Sequence, residues 1–338
     1  MSPPRCCVLG ATGFIGGQIV RAALARGWAV RGVRRRPDAV GALEDIADQI
    51  EWAQADLADP ASLVAAMNSC PLVFHAAAYY PLKARDAWEA VRHGVREMRH
   101  VLTAARSAQV RRLVYTSSLS TVGPPSAPGR LANEDDLYLP GSVGTPYFEV
   151  KWAMEQEALR AAATGLDVVV TIPTTVLGPG DIKPTTSQIV IMVARRRLRW
   201  AVEGSINVID GRDLAHGHVL AAGHGKSGRR YILGGANMTI REMLTTIAEA
   251  AGVPPPRTVL SPRLIEQAGR MGSFLGIPAA GQLQAMRHWQ PLDTSRAQAE
   301  LGMPPTRPFA ETCRDTLAWF RARGLLPAQE TATARSDS

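Results

Sequence analysis

Tyr147 and Lys151 stand four residues apart in Tyr147-Phe148-Glu149-Val150-Lys151, a spacing that puts a phenol and an ammonium on one face of a helix. A free phenol titrates at about 10 and is a poor base at neutral pH. A cation beside it, such as the lysine, favours the phenolate and lowers that value. Such a pair can pass a proton to or from a substrate oxygen. Upstream, a predicted strand ends Tyr115-Thr116-Ser117-Ser118, and a serine hydroxyl there can hold the same oxygen. On most helices Tyr-x-x-x-Lys is merely a surface pair, so its weight rests on its company.

One companion lies at the N-terminus. The apolar run Cys6-Cys7-Val8-Leu9 passes into Gly10-Ala11-Thr12-Gly13-Phe14-Ile15-Gly16. A buried strand, a glycine turn and a helix opening on it suit a dinucleotide pyrophosphate. Glycine lets the backbone turn tightly and admits a phosphate, while the helix offers unpaired N–H groups. Gly10, Thr12, Gly13, Phe14, Ile15 and Gly16 are therefore candidate cofactor-binding residues. A second companion is Val33-Arg34-Arg35-Arg36-Pro37, at the end of the second predicted strand, with no acid until Asp38. An acid there selects a ribose 2′-hydroxyl, whereas guanidiniums favour a 2′-phosphate. NADP(H) is thus the expected cofactor, with Arg34 as first contact and Arg35 beside it. NAD(H) stays open, since three arginines also make a solvated basic turn.

These residues need a scaffold. Strands are predicted at Cys6–Leu9, Ala29–Val33, Ile50–Ala53, Leu72–His75, Arg112–Thr116 and Asp167–Ile172. Helices are predicted at Phe14–Arg26, Pro60–Ser69, Asp86–Ala108 and Tyr147–Ala163. That alternation predicts an α/β, doubly wound parallel sheet of Rossmann type, with ligands beyond the carboxyl ends of its strands. After Gly178 the rhythm breaks into short elements and proline-rich links. Residues 1–177 are read as the nucleotide-binding domain and 178–326 as mainly a smaller substrate lobe, some of whose elements return to the core. Thr239 and Glu242 form a predicted capping box for a helix over Ile240–Ala251. Residues 327–338 are expected to be a disordered tail.

In this order the motifs resemble an extended short-chain dehydrogenase/reductase, over nearly the whole chain. The resemblance implies a catalytic set of Ser118, Tyr147 and Lys151, with Ser117 as the alternative serine because one residue of register decides which hydroxyl faces the site. It implies adenine contacts from Asp56 and Leu57. It places Ala76, Ala77 and Ala78, after His75, where the cofactor ribose passes, and Thr116 and Lys151 also beside the cofactor. Pro173, Thr174 and Thr175 are implied next to the nicotinamide. Val91 falls where many relatives carry an asparagine that supports a bound water near the lysine. Relatives also pair as homodimers through the two long helices, so a homodimer is expected.

The substrate is less legible. Thr171-Ile172-Pro173-Thr174-Thr175-Val176 is apolar and resembles the reductases acting on dihydroflavonols, cinnamoyl-CoA and hydroxysteroids. Gly178–Thr185 and Tyr231–Gly235 instead resemble bacterial hopanoid-associated sugar epimerases. Reduction of a ketone or aldehyde on a largely apolar small molecule, or oxidation of the alcohol, is the leading expectation. A sugar-nucleotide epimerase or dehydratase is the alternative, and a non-catalytic NADP-binding regulator the second. Candidate substrate contacts are Tyr79, Tyr80, Thr175, Ile182 and Lys183, with Ser118 and Tyr147.

Composition narrows the field further. The chain has 338 residues, 46% of them hydrophobic, and a formal net charge of +8. Of 38 basic residues only Lys83, Lys151, Lys183 and Lys226 are lysines. A lysine kept in such a background suggests a place that a planar guanidinium would not fill. The arginines are not interleaved with stacking aromatics, so no nucleic-acid partner is expected, and Arg195–Arg197 reads as a solvated helix end. No apolar stretch reaches the roughly 18–20 residues of a membrane span. Cys6, Cys7, Cys70 and Cys313 lack metal-ligand spacing and suggest buried thiols in a reducing cytoplasm. His216 and His218 near Asp213 do not share a helix face, so no metal is expected.

Overall fold

The computed structural model describes residues 4–77, 86–184, 186–198, 200–260 and 289–327. The tail expected from 327 onward lies outside them beyond Pro327, as do Ala78, Tyr79 and Tyr80.

The elements run β1 (Arg5–Leu9), α1 (Phe14–Ala25), β2 (Ala29–Arg34), β3 (Glu51–Gln54), α2 (Pro60–Met67), β4 (Leu72–His75), α3 (Ala87–Ser107), β5 (Arg112–Thr116), α4 (Pro146–Ala163) and β6 (Val168–Pro173). Shorter pieces follow: β7 (Thr175–Leu177), α5 (Gln188–Ala194), β8 (Trp200–Val202), β9 (Ser205–Asp210), α6 (Gly211–His224), β10 (Arg230–Leu233), β11 (Ala236–Thr239), α7 (Ile240–Ala251), β12 (Thr258–Leu260) and α8 (Phe309–Ala322). Seven strands form one parallel sheet in the order β10-β6-β5-β4-β1-β2-β3. The order reverses between β1 and β4, and such a switch point opens a crevice at the carboxyl ends of the strands.

Helices cover both faces because each strand presents apolar residues to both sides. Cys6 and Cys7 show the alternation directly. Cys7 joins the core under α2, α3 and α4, whereas Cys6 joins the core under α1 and α6. All four cysteines are free and buried. A third core, around α5, α7 and α8, carries the short strands β7, β8 and β9. β7 and β9 pair in parallel, with β11 antiparallel on β9. β10 leaves this region and returns to the large sheet beside β6.

Local chemistry sets the helix ends. Pro60 occupies the first turn of α2 after Asp59, whose carboxylate accepts the Ala61 and Ser62 N–H groups. Asp86 caps α3 through Trp88 N. The capping box at Thr239 and Glu242 is present, and α7 ends on left-handed Gly252. α3 and α4 run close together because Gly94 has no side chain. A Cβ there would lie 2.8 Å from Val150 Cγ1.

Candidate active site

α4 brings Tyr147 and Lys151 to the carboxyl edge of the sheet, and β5 ends opposite them. Ser118 Oγ lies 3.0 Å from the Tyr147 hydroxyl. Ser118 is also the first residue of a tight turn over Leu119–Thr121, where its Oγ accepts the Ser120 N–H at 3.2 Å. Ser117 points elsewhere, donating a short hydrogen bond to buried Glu155 on α4. Of the two candidate serines, Ser118 is the one whose hydroxyl meets the phenol.

Lys151 is buried, and burial pushes its ammonium down to about 8 against the opposing charge of Glu155. His75, at the end of β4, is fully buried and tilted against Tyr115 with ring centroids 5.5 Å apart. Burial, with the Lys151 charge second, lowers its imidazole to about 3, so it is neutral at physiological pH. Beside Tyr147 lies an apolar cluster of Tyr138, Val143, Phe148 and Trp152. The Phe148 ring stands edge-on to Tyr147 at 6.1 Å. Val91 packs against the core under α3, so that position offers no side-chain hydrogen bond.

The N-terminal turn is shaped for close approach. Gly10 adopts φ +83°, and a Cβ there would lie 2.7 Å from Ala77 N, pressing the turn off the end of β4. A Cβ at Gly16 would fall on the Gly10 carbonyl oxygen. α1 starts at Gly13 without a side-chain cap, so its first N–H groups remain available to an anion. These features fit a dinucleotide pyrophosphate over Gly10, Thr12, Gly13, Phe14, Ile15 and Gly16. Arg34 is half-buried with its guanidinium stacked on the Trp52 ring at 4.8 Å, while Arg35 is exposed. Asp56 accepts the Ala58 N–H at 2.9 Å, and Leu57 O lies 2.9 Å from His100 Nδ1.

Pro173, Thr174 and Thr175 are buried at the β6–β7 junction. Ile182 is half-buried and Lys183 exposed on the loop that follows. Thr116 does not aim its hydroxyl along the sheet edge. It bonds His218 Nε2 at 2.9 Å under α6, and Thr171 shares the same nitrogen at 3.0 Å. The residues around Asp213 part ways: His216 meets Arg26, and Asp213 pairs with Arg307. Among the described residues no group of three or more His, Cys, Asp or Glu is placed to hold a metal ion. Nor is any described helix long and apolar enough to cross a membrane.

Glu155 and Arg230 were not anticipated. Glu155 continues the i, i+4 series of Tyr147 and Lys151, a signal visible in the sequence. Arg230, from β10, lies 2.9 Å from Glu155 through its Nε, and only the folded sheet brings the two together.

Residues 6–234 match the model of the NAD dependent epimerase/dehydratase family. A protein of Synechocystis sp. that carries a dihydroflavonol 4-reductase name is 33% identical, covering 95% of this chain and 96% of that one. Sterol demethylase protein B of Methylococcus capsulatus is also 33% identical, over 94% of this chain and 99% of its own. The crystal structure of a nucleoside-diphosphate-sugar epimerase from Pseudomonas aeruginosa superimposes with a TM-score of 0.80 at 28% identity. It covers 95% of this chain and 98% of its own.

Proposed function

The chain belongs to the NAD-dependent epimerase/dehydratase family, as an NAD(P)-dependent oxidoreductase of the extended short-chain dehydrogenase/reductase type. From that premise we propose that it is an NADP(H)-dependent reductase of a ketone or aldehyde on a largely apolar small molecule. A nicotinamide cofactor held against the α1 turn would supply the hydride to the carbonyl carbon. In this reading Tyr147 gives its phenolic proton to the carbonyl oxygen as that bond polarises. Ser118 donates to the same oxygen and sets its direction. The Lys151 ammonium, one helical turn from the phenol, favours the phenolate left behind.

The observation that carries the reading is the 3.0 Å contact between Ser118 Oγ and Tyr147 OH, with Lys151 buried one turn along α4. An apolar substrate is supported by the aromatic cluster beside Tyr147 and by relatives whose names refer to a flavonoid and a sterol. NADP(H) is supported by Arg34 and Arg35 at the end of β2, where no carboxylate stands.

The test is NADPH consumption with added cyclic ketones, in the native chain and in Tyr147→Phe. Stoichiometric oxidation that falls on the order of a hundred-fold or more in Tyr147→Phe is the expected result. The structural likeness to a sugar-nucleotide epimerase supports a second reading. Conversion of a diphosphate sugar without net cofactor turnover would replace the reductase with that epimerase. Cofactor binding without turnover on either class would leave a regulatory protein.

A further inference from the structure

Tyr147 and Lys151 are followed at the same spacing by Glu155, one turn further along α4. Its side chain is 1% exposed, and a carboxylate that deep persists only where partners hold its charge. Arg230 supplies the counter-charge, with Nε 2.9 Å from Glu155 Oε1. The other oxygen, Oε2, accepts the short bond from Ser117 and lies 2.7 Å from Thr121 Oγ1. Arg230 gives its two terminal nitrogens to the carbonyls of Glu134 and Thr121. Burial raises the Glu155 carboxyl above its ordinary value, while the guanidinium, which keeps its proton in proteins, and the two hydroxyl donors draw it back toward the anion.

Two of these partners flank Ser118. Ser117 precedes it, and Thr121 ends the short turn that Ser118 begins. We propose that Glu155 is a positioning residue for the Ser118–Tyr147–Lys151 site. Through Ser117 and Thr121 it fixes the turn that aims Ser118 at the phenol, and its charge keeps buried Lys151 protonated. This deepens the reductase reading and rests on it.

The titratable groups around Lys151 and Glu155 come from several elements. β4 supplies His75, which is neutral, and β5 supplies Tyr115, whose phenol burial raises well above the ordinary range. α4 supplies Tyr147 and Glu155, and Arg230 of β10 stands behind Glu155. Among these described groups Glu155 is the one carboxyl, and Arg230, Ser117 and Thr121 favour its anionic form. Removing its charge therefore lowers the affinity of Lys151 for its proton, and the uncompensated Arg230 acts in the same direction.

The chain has only four lysines, so ¹³Cε-lysine NMR can follow Lys151 individually, with Lys151→Arg giving the assignment. In Glu155→Gln the midpoint of Lys151 is expected to fall by about one pH unit or more. The alkaline limb of kcat for NADPH-driven ketone reduction moves down with it. In Glu155→Asp the charge stays but the side chain no longer reaches Ser117. Lys151 then titrates as in the native chain, while kcat drops on the order of ten-fold with KM little changed. A folded Glu155→Gln whose Lys151 titrates at the native pH overturns the electrostatic role. Native kcat in Glu155→Asp overturns the positioning role, and decides the matter if Glu155→Gln does not fold. The NMR titration needs no turnover, so its failure is distinct from survival of activity in Tyr147→Phe, which would sink the reductase reading instead.

Discussion

In the proposed NADP(H) reading, Arg34 is the side chain that sets the preference. Its guanidinium lies over the Trp52 ring, so less freedom remains to be lost on meeting a phosphate. Arg34→Asp is expected to lower kcat/KM for NADPH relative to NADH by about ten-fold or more, and an unchanged ratio would reject the NADP(H) assignment. His75 and His218 act on stability instead. Burial lowers them to about 3 and about 4, below the ordinary value of about 6.5. Both are neutral in the folded chain, whereas the unfolded chain takes up their protons as pH falls through that ordinary value. Stability is therefore lost from neutral pH downward until each folded value is reached. His218→Gln should shrink the loss in urea stability between pH 7 and pH 5 by about 2 kcal/mol. At this scale Tyr147, Lys151 and the glycines were legible because local spacing defines them. Ser118 came ahead of Ser117 only through the family resemblance, because local spacing does not say which of two adjacent hydroxyls faces the phenol.

Helices and strands were the most legible level. Alternating apolar runs and the punctuation by Pro60, Thr239 and Gly252 follow from local rules, and the observed ends differ from those expected by one or two residues. The pairing of β7 with β9, and of β8 with β12, was not legible. β7, β8 and β12 have three residues each, and distant partners fix them. The β1–α1 junction gives a prediction of its own. A methyl at position 16 would fall on the Gly10 carbonyl, a backbone atom that cannot step aside cheaply. Gly16→Ala is expected to cost about 1–3 kcal/mol in thermal unfolding and to weaken NADPH binding at least about ten-fold, measured by nucleotide fluorescence. Unaltered binding would show that the turn does not approach the pyrophosphate.

Across the whole molecule, the large sheet is completed by a strand that lies far along the chain. β6 is buried at all six positions, its two faces covered by helices and its outer edge paired with β10. A fragment of residues 1–177 would leave that apolar edge open, and open edges recruit other chains. Such a fragment is expected to aggregate, whereas one that ran as a cooperatively melting monomer would show β10 to be dispensable. This return could be suspected from the sequence, since the lobe was expected to send elements back, but its partner strand could not be named. Periodicity reports which residues are buried and says nothing of what buries them.

The late arrival of β10 also has a consequence during synthesis. Roughly sixty residues separate the end of β6 from the start of β10, which at ribosomal speeds of about 5–20 residues per second is several seconds of translation. Throughout that interval the nascent sheet is unfinished on one side. A pause in elongation placed after β6 would lengthen its exposure, and one placed after β10 would not.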